Sequence, residues 1–178
     1  MKKFQVILAI STALGLASAF SAETKSAAAP PTDPQIAMIA VTADNVDIDA
    51  GKLAVSKTTN PQVKEFADLM VRDHTSVNDQ ATALVKKLNV TPEESATSKS
   101  LKADGEKMKT KLEGLSGAAF DKAYVDNEVT YHQTVLDAID KTLIPNAKNA
   151  ELKSLLESVR PVIASHLQHA KTLQSSVK

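Results

Sequence analysis

A stripe of apolar residues with helical spacing, within residues 60–88, is the feature that most constrains the fold. Its members recur three or four positions apart, as one face of an α-helix requires. They are Val63, Phe66, Ala67, Met70, Val77, Ala81, Leu84, Val85 and Leu88. His74 falls within this stripe, near the middle of the predicted helix. A titratable ring on a buried helix face is either a structural group with hydrogen-bond partners or a ligand, so His74 marks a candidate site.

The rest of the chain repeats the helical spacing without sustained period-two alternation, so we predict an all-α protein. Helix-start and helix-stop residues divide it into five predicted helices. These cover about residues 33–57, 61–88, 92–113, 118–143 and 150–173. The third has a narrow apolar stripe and is predicted to be a partly covered crossover. We expect Asp33, Thr91 and Asn149 to cap helices, and Pro161 to kink or split the last one.

The first nineteen residues have the composition of a secretory signal peptide. Lys2 and Lys3 supply its positive start, an apolar run follows, and Ala17 and Ala19 are the small residues that signal peptidase reads. The apolar run is short for a membrane anchor, which must cross about 30 Å of hydrocarbon. We therefore predict export and cleavage after Ala19. The predicted organisation is a signal peptide, a disordered tether and a helical bundle, in residues 1–19, 20–32 and 33–178.

Composition argues against several classes of function. The sequence has no cysteine, which removes disulfides, thiolate metal ligands and cysteine nucleophiles. Cleavage after Ala19 would leave 19 basic and 21 acidic residues, whereas nucleic-acid binding calls for a strongly basic face. Aromatic rings for stacking bases are scarce, and no Gly-x-Ser-x-Gly motif occurs. We therefore expect no nucleic-acid partner and no integral membrane span after residue 19, and the sequence offers no specific support for catalysis.

Polar residues interrupt the apolar face of each long predicted helix at a similar height. Asp47 precedes the first hairpin turn by about 12 residues and His74 follows it by about 14, a difference of about 3 Å at the helical rise. If the third helix is a crossover, the fourth helix runs parallel to the second. Glu128, His132 and His166 then fall within the same band, about 8 Å deep. The sequence thus predicts a single polar layer formed by these five residues.

Four runs of sequence carry a resemblance to a known family. They are NVDIDAGKLA (45–54), NPQVKEFADLMVRDHT (60–75), GAAFDKAYVDNEVTYH (117–132) and RPVIASHLQHA (160–170). They resemble the blocks of an exported ferritin-like family, domain of unknown function 4142, whose members are often labelled "predicted outer membrane protein". The resemblance covers the chain from about Asp33 and implies a ferritin-like antiparallel four-helix bundle with a shorter crossover helix. It implies no established activity, and this chain has Asp47 where the family often has glutamate.

One interpretation of the polar layer is a mononuclear zinc or copper site, with some of the three histidines and one of the two carboxylates as ligands. Met70, one turn from His74, could add a soft ligand, and His169 could either join the site or face solvent. Ferritin-like di-iron sites need Glu-x-x-His on two helices. This chain has Val71, Val129 and Ile163 three residues before its histidines, so di-iron chemistry has little support.

The other interpretation, which the sequence favours, is a buried network in which the carboxylates hydrogen-bond the imidazoles and fix how the helices pack. The protein would then be a structural or interaction module of the cell envelope. Its partner would be another envelope protein or a second copy, in the periplasm or against the outer membrane. We expect raised pKa values for histidines beside carboxylates. Asp73 is predicted to point away from the layer and to pair with a surface lysine.

Overall fold

The computed structural model describes residues 29–177, so the predicted signal peptide and most of the predicted tether lie outside the described residues. This part of the chain contains no strand, which confirms the all-α prediction. Its helices are α1 (Asp33–Lys57), α2 (Pro61–Lys87), α3 (Ala96–Glu113), α4 (Gly117–Ala138), a π-helical turn (Ile139–Leu143), α5 (Ile144–Asn146) and α6 (Ala150–Ser176). None of these helices is long and apolar enough to cross a membrane, as the sequence predicted.

Helices α1 and α2 form a closely packed hairpin. Asn60 ends the turn between them, because its side-chain oxygen accepts hydrogen bonds from the N–H groups of Gln62 (3.0 Å) and Val63 (3.4 Å). A turn of three residues makes the two helices antiparallel. Gly51 allows them to approach, since a Cβ atom there would lie 3.2 Å from the carbonyl oxygen of Ala67 and 2.9 Å from Val71 Cγ2.

Helix α3 lies against α1 and runs in the same direction. Near its start the Glu93 N–H donates to the Pro34 carbonyl, and near its end Lys57 Nζ donates to the Glu113 carbonyl. The prediction that Thr91 caps this helix is wrong. Ser95 is the cap, with its hydroxyl accepting from the Ser98 N–H at 3.1 Å. Among the residues of α3 only two are buried, as expected for a partly covered crossover: Ser98 and Leu112.

The start of α6 is tied to the start of α1. Asn149 caps α6, as predicted, by accepting from two backbone N–H groups of its first turn. The prediction that Asp33 caps α1 is wrong, because its carboxylate accepts from the N–H groups of Lys148 (2.8 Å) and Asn149 (2.9 Å). Thr32 takes the capping position, with its N–H bonded to the Gln35 side chain. Asp33 therefore fixes where the loop before α6 meets α1.

Two predictions about α4 and α6 need correction. Regular helix in α4 ends at Ala138 and continues through the π-helical turn, where the sequence predicted uninterrupted helix. Pro161 does not split α6, which remains one helix over its whole length, and a kink at Pro161 stays a prediction. Pro161 is exposed, so the carbonyl group left without its donor lies on the solvent side, where water can satisfy it.

The buried residues form two apolar clusters with polar residues between them. One cluster contains the second half of α1 and the first half of α2, with Phe66, Tyr124 and Leu173 at its centre. The other contains the first halves of α1 and α6 and the π-helical turn, with Ile36 and Ile163. The buried polar groups of α1, α2, α4 and α6 occupy the level between these clusters.

Candidate functional site

The five residues of the predicted polar layer lie together in the interior. Asp47 comes from α1, His74 from α2, Glu128 and His132 from α4, and His166 from α6. None is more than 4% exposed. One nitrogen from each of the three histidines lies within 4.8 Å of the others, and a second group of Asp47, Glu128 and His132 is equally close. His132 belongs to both groups, so the layer is one continuous cluster.

His74 is held between two carboxylates of α1. Its Nδ1 lies 2.8 Å from Asp44 Oδ1 in a well-formed hydrogen bond. Its Nε2 lies 2.6 Å from Asp47 Oδ2, but this pair is not aligned for a hydrogen bond. Asp44 therefore fixes the orientation of the ring and leaves Nε2 to face the interior of the cluster.

His132 is oriented by its own helix. Its Nδ1–H donates to the backbone carbonyl of Glu128, one turn earlier, at 3.0 Å. Since Nδ1 carries the proton, Nε2 of the neutral ring presents a lone pair. That nitrogen lies 3.4 Å from His74 Nε2 and 3.4 Å from Asp47 Oδ2. Three potential ligand atoms thus converge around one point.

His166 also has one ring nitrogen hydrogen-bonded to an acceptor and the other nitrogen free. Its Nε2 lies 3.0 Å from Asp73 Oδ2, and its Nδ1 is buried without a hydrogen-bond partner. The predicted pairing of Asp73 with a surface lysine is wrong, because Asp73 bonds His166 and also Arg72, at 2.8 Å. Asp73 is partly exposed, and its side chain extends from α2 to His166 on α6.

Several polar atoms of the cluster have no hydrogen-bond partner. They are both carboxylate oxygens of Asp47, both of Glu128, and Nδ1 of His166. Buried polar atoms are nearly always hydrogen-bonded, so five such atoms in one cluster require an explanation. Imidazole nitrogens and carboxylate oxygens that converge in this way can hold a divalent metal ion.

A family model described as Domain of unknown function (DUF4142) matches residues 18–173. The chain belongs to this family. No curated protein and no solved structure gives a match. For this DUF4142 member the cluster geometry is therefore the main guide to function.

The electrostatics of the cluster centre on the ion pair between His74 and Asp47. Burial alone would lower the pKa of His74, but Asp47 and Asp44 raise it to about 10. Burial alone would raise the pKa of Asp47, but the effects of His74, with smaller contributions from His132 and Glu128, together outweigh burial and lower that pKa to about 2. Burial and then the negative charge of Asp47 raise the pKa of Glu128 well above its usual range. At neutral pH the cluster therefore holds His74 as a cation beside an ionised Asp47, and the raised pKa of Glu128 favours its protonated form.

The other two histidines behave differently from the expectation of raised pKa values. Burial lowers the pKa of His132 by more than the nearby Asp47 raises it. Burial also lowers the pKa of His166 to about 4, because the bond to Asp73 offsets burial only in part and His74 repels a second positive charge. Both rings are neutral at pH 7, with lone pairs available to a ligand.

The two additional candidate ligands have different surroundings. Met70 is fully buried in the apolar cluster around Phe66, and its role as a soft ligand stays a prediction. His169 is exposed, and its ring lies edge-on to Phe66 at 5.1 Å between centroids. His169 belongs to neither group of histidine and carboxylate ligands in the described part of this DUF4142 chain.

Two residues that support the cluster were missed by sequence reasoning. Asp44 and Asp73 orient His74 and His166, and neither was assigned to the polar layer. A signal existed for Asp44, since it stands three residues before Asp47 and therefore shares its helix face. Asp73 gave no such signal, because its neighbour His74 points about 100° away on an ideal helix.

Proposed function

We propose that this protein binds one divalent transition-metal ion of the zinc or copper class in the interior of its bundle. The proposed ligands are His74, His132, His166 and Asp47. The observation that carries the proposal is the orientation of the three imidazoles. Each has one nitrogen held by an acceptor outside the group, as metal-ligating histidines almost always do, and each has its other nitrogen buried in the cluster.

Two separations within the cluster match the edge of a tetrahedral site. Metal–ligand bonds of about 2.0–2.1 Å place neighbouring ligand atoms about 3.3 Å apart in a tetrahedron. The separations from His132 Nε2 to His74 Nε2 and to Asp47 Oδ2 are both 3.4 Å. The contact of 2.6 Å between His74 Nε2 and Asp47 Oδ2 is shorter, as in a close ion pair between a protonated His74 and an ionised Asp47. Ion binding would replace the proton of His74 and move the two atoms apart.

The donor set also selects the kind of ion. Three imidazoles with one carboxylate suit zinc, copper or nickel better than calcium or magnesium, which prefer oxygen ligands. Glu128, with two unpaired oxygens beside Asp47, is the candidate for a fifth ligand.

A second candidate function is the structural network, in which the layer binds only itself and fixes helix packing. The contacts of His74 with Asp44 and Asp47 favour it, because a cation between two carboxylates is a satisfied arrangement. The protein would then act as an envelope module that binds another envelope protein or a second copy. The unpartnered oxygens of Glu128 and the unpartnered Nδ1 of His166 favour the metal site instead.

We also infer a ferritin-like bundle in an exported protein. Support for the topology comes from α3, which runs along α1 and so makes α4 parallel to α2, as a long crossover does. Support for export comes from the charge and apolar pattern of residues 1–19, which is typical of a signal peptide. The periplasm is the proposed location, with the outer membrane as a surface for association.

Calorimetric titration of EDTA-treated, untagged protein with Zn²⁺ and Cu²⁺ tests the metal proposal. We expect one ion per chain, and affinity at least about 100-fold weaker in His132→Ala, since a ligand is lost. His169→Ala is the matched control, because it removes the one histidine outside the cluster and should leave affinity unchanged. Absence of saturable binding in folded wild-type protein would refute the metal site and favour the structural network. Equal affinity in the two variants would refute this ligand set.

A further inference from the structure

A cavity of about 130 Å³ lies on one side of the polar layer, toward the start of α1. Its walls come from α1, α2, α4, the π-helical turn and α6, with smaller contributions from α3. Aliphatic side chains form nearly the whole lining, including Ile39, Ile139 and Ile163. Val85 and Leu155 also line it and are only half-buried, so the cavity can be reached from solvent.

Small residues create this space. Five alanines on three helices line the cavity: Ala37, Ala40, Ala43, Ala81 and Ala138. A larger aliphatic side chain at one of these positions would fill much of the volume. Unfilled volume in an interior costs stability in proportion to its size. A ligand that occupies the cavity would recover the lost contacts.

The cavity adjoins two unusual features of the fold. Ile139 and Leu143, which line it, belong to the π-helical turn, a rare conformation that is frequent at functional sites. Asp44 also lines it and is the residue that holds His74 in place. Asp44 is the one ionisable residue in the lining, and its charge is matched by His74. A charged ligand would therefore find no free opposite charge in this wall.

We propose that this cavity binds one small, uncharged, apolar molecule of about the size of benzene. The volume supports this size, since a comparable aliphatic cavity of about 150 Å³ in another protein binds benzene or xenon. The proposal is independent of the metal site and is tested on metal-free protein, so that either proposal can fail alone.

Benzene is the probe, with thermal unfolding of the EDTA-treated full chain as the first measurement. Benzene at about five times its Kd should raise Tm by about 2–4 °C, because it binds the folded state alone. Benzoate, which has the same ring with a negative charge, should give no rise. NMR spectra of methyl groups should show shifts at Ile39, Ile139 and Ile163, with Val63 in the other apolar cluster unaffected.

Two variants fill the cavity, so the test survives the misfolding of either one. Ala81→Leu and Ala138→Leu should each reduce benzene affinity at least about tenfold, because the added side chain takes up the volume. Ala83→Leu makes the same change at an exposed position of α2 and should bind like the wild type. Absence of a Tm rise in the wild type would overturn the proposal. Shifts of equal size at Val63, or unchanged affinity in both filled variants, would do the same.

Discussion

Each imidazole of the polar layer has one nitrogen hydrogen-bonded to an acceptor that is not a proposed metal ligand. Asp44 holds His74, the Glu128 carbonyl holds His132, and Asp73 holds His166. Such an acceptor selects the tautomer of the ring and makes its free nitrogen more basic. The single residues that decide the chemistry of the site therefore include side chains that never touch the proposed ion.

Asp44→Asn tests this dependence. The amide oxygen can still accept from His74 Nδ1, but it lacks the negative charge that increases the basicity of the ring. We expect Zn²⁺ affinity to fall by about 10–100-fold, measured by titration against a competing chelator. Asp49→Asn, on an exposed position of the same helix, is the control and should retain affinity. A normal affinity in Asp44→Asn would mean that His74 does not bind the ion.

The release of protons from ligand side chains when Zn²⁺ binds is a second property that depends on single residues. His74 carries a proton at pH 7 because its pKa is about 10, and the raised pKa of Glu128 favours its protonated form. Ligands must lose their protons to bind a metal, so Zn²⁺ should release about one proton per chain from His74, and a second one where Glu128 is the fifth ligand. The variation of binding enthalpy with buffer ionisation enthalpy measures this number. Glu128→Gln should release about one proton fewer, and unchanged release would exclude Glu128 as a ligand.

At the scale of the helices, the sequence predicts which segments are helical better than where they begin. Apolar periodicity reports the buried face, so all the long helices could be predicted. The first residue of each helix could not be predicted, because several neighbouring residues are each able to form the N-terminal cap. Thr32 and Asp33 are both suitable for α1, and the contact of Asp33 with the loop before α6 decides between them. The same holds for Thr91 and Ser95 at α3.

The level of the polar layer could also be predicted, since helical rise turns sequence position into height. The hydrogen-bond partners of the histidines could not be predicted, because these contacts depend on the rotation of each helix about its axis and on side-chain length. Asp73 shows this best: an ideal helix directs it away from His74, yet it reaches His166 on α6. The ferritin-like topology and the signal peptide stay predictions.

Asn60 is the clearest case of a single residue that defines an element. Asn60→Ala removes the acceptor for the first N–H groups of α2 and should lower the free energy of unfolding by about 1 kcal/mol. Thermal unfolding should show this as a Tm about 2–4 °C lower. Asn60→Ser keeps a capping oxygen and should remain close to the wild type. A serine variant as unstable as the alanine variant would show that the cap is not the cause.

At the scale of the whole molecule, the polar layer separates two apolar clusters that provide most of the core. The free energy that the layer adds therefore depends on its charge state, while the clusters are uncharged near neutral pH. His74 and His166 make opposite contributions, because their folded pKa values lie on opposite sides of the value for an unfolded histidine.

The combined contribution of His74 and His166 to the stability of the metal-free protein should therefore pass through a maximum near pH 6.5. Between about pH 4 and 6.5 the unfolded chain binds more protons at His166, so the His166 contribution to stability rises with pH, by up to about 3 kcal/mol. Above about pH 6.5 the folded chain binds more protons at His74, so stability is lost as pH rises toward 10. Denaturant unfolding of EDTA-treated protein at a series of pH values measures both the rising acid limb and the falling alkaline limb of this plot of stability against pH.

Variants assign each limb to its residue. His166→Asn should flatten the acid limb relative to wild type and leave the alkaline limb, because asparagine does not titrate. His74→Asn should do the reverse, and His169→Asn should change neither, since His169 is exposed and outside the layer. An alkaline limb that persists in His74→Asn would mean that another group carries the proton assigned to the cluster. The metal site would then have to form without displacing a proton from His74.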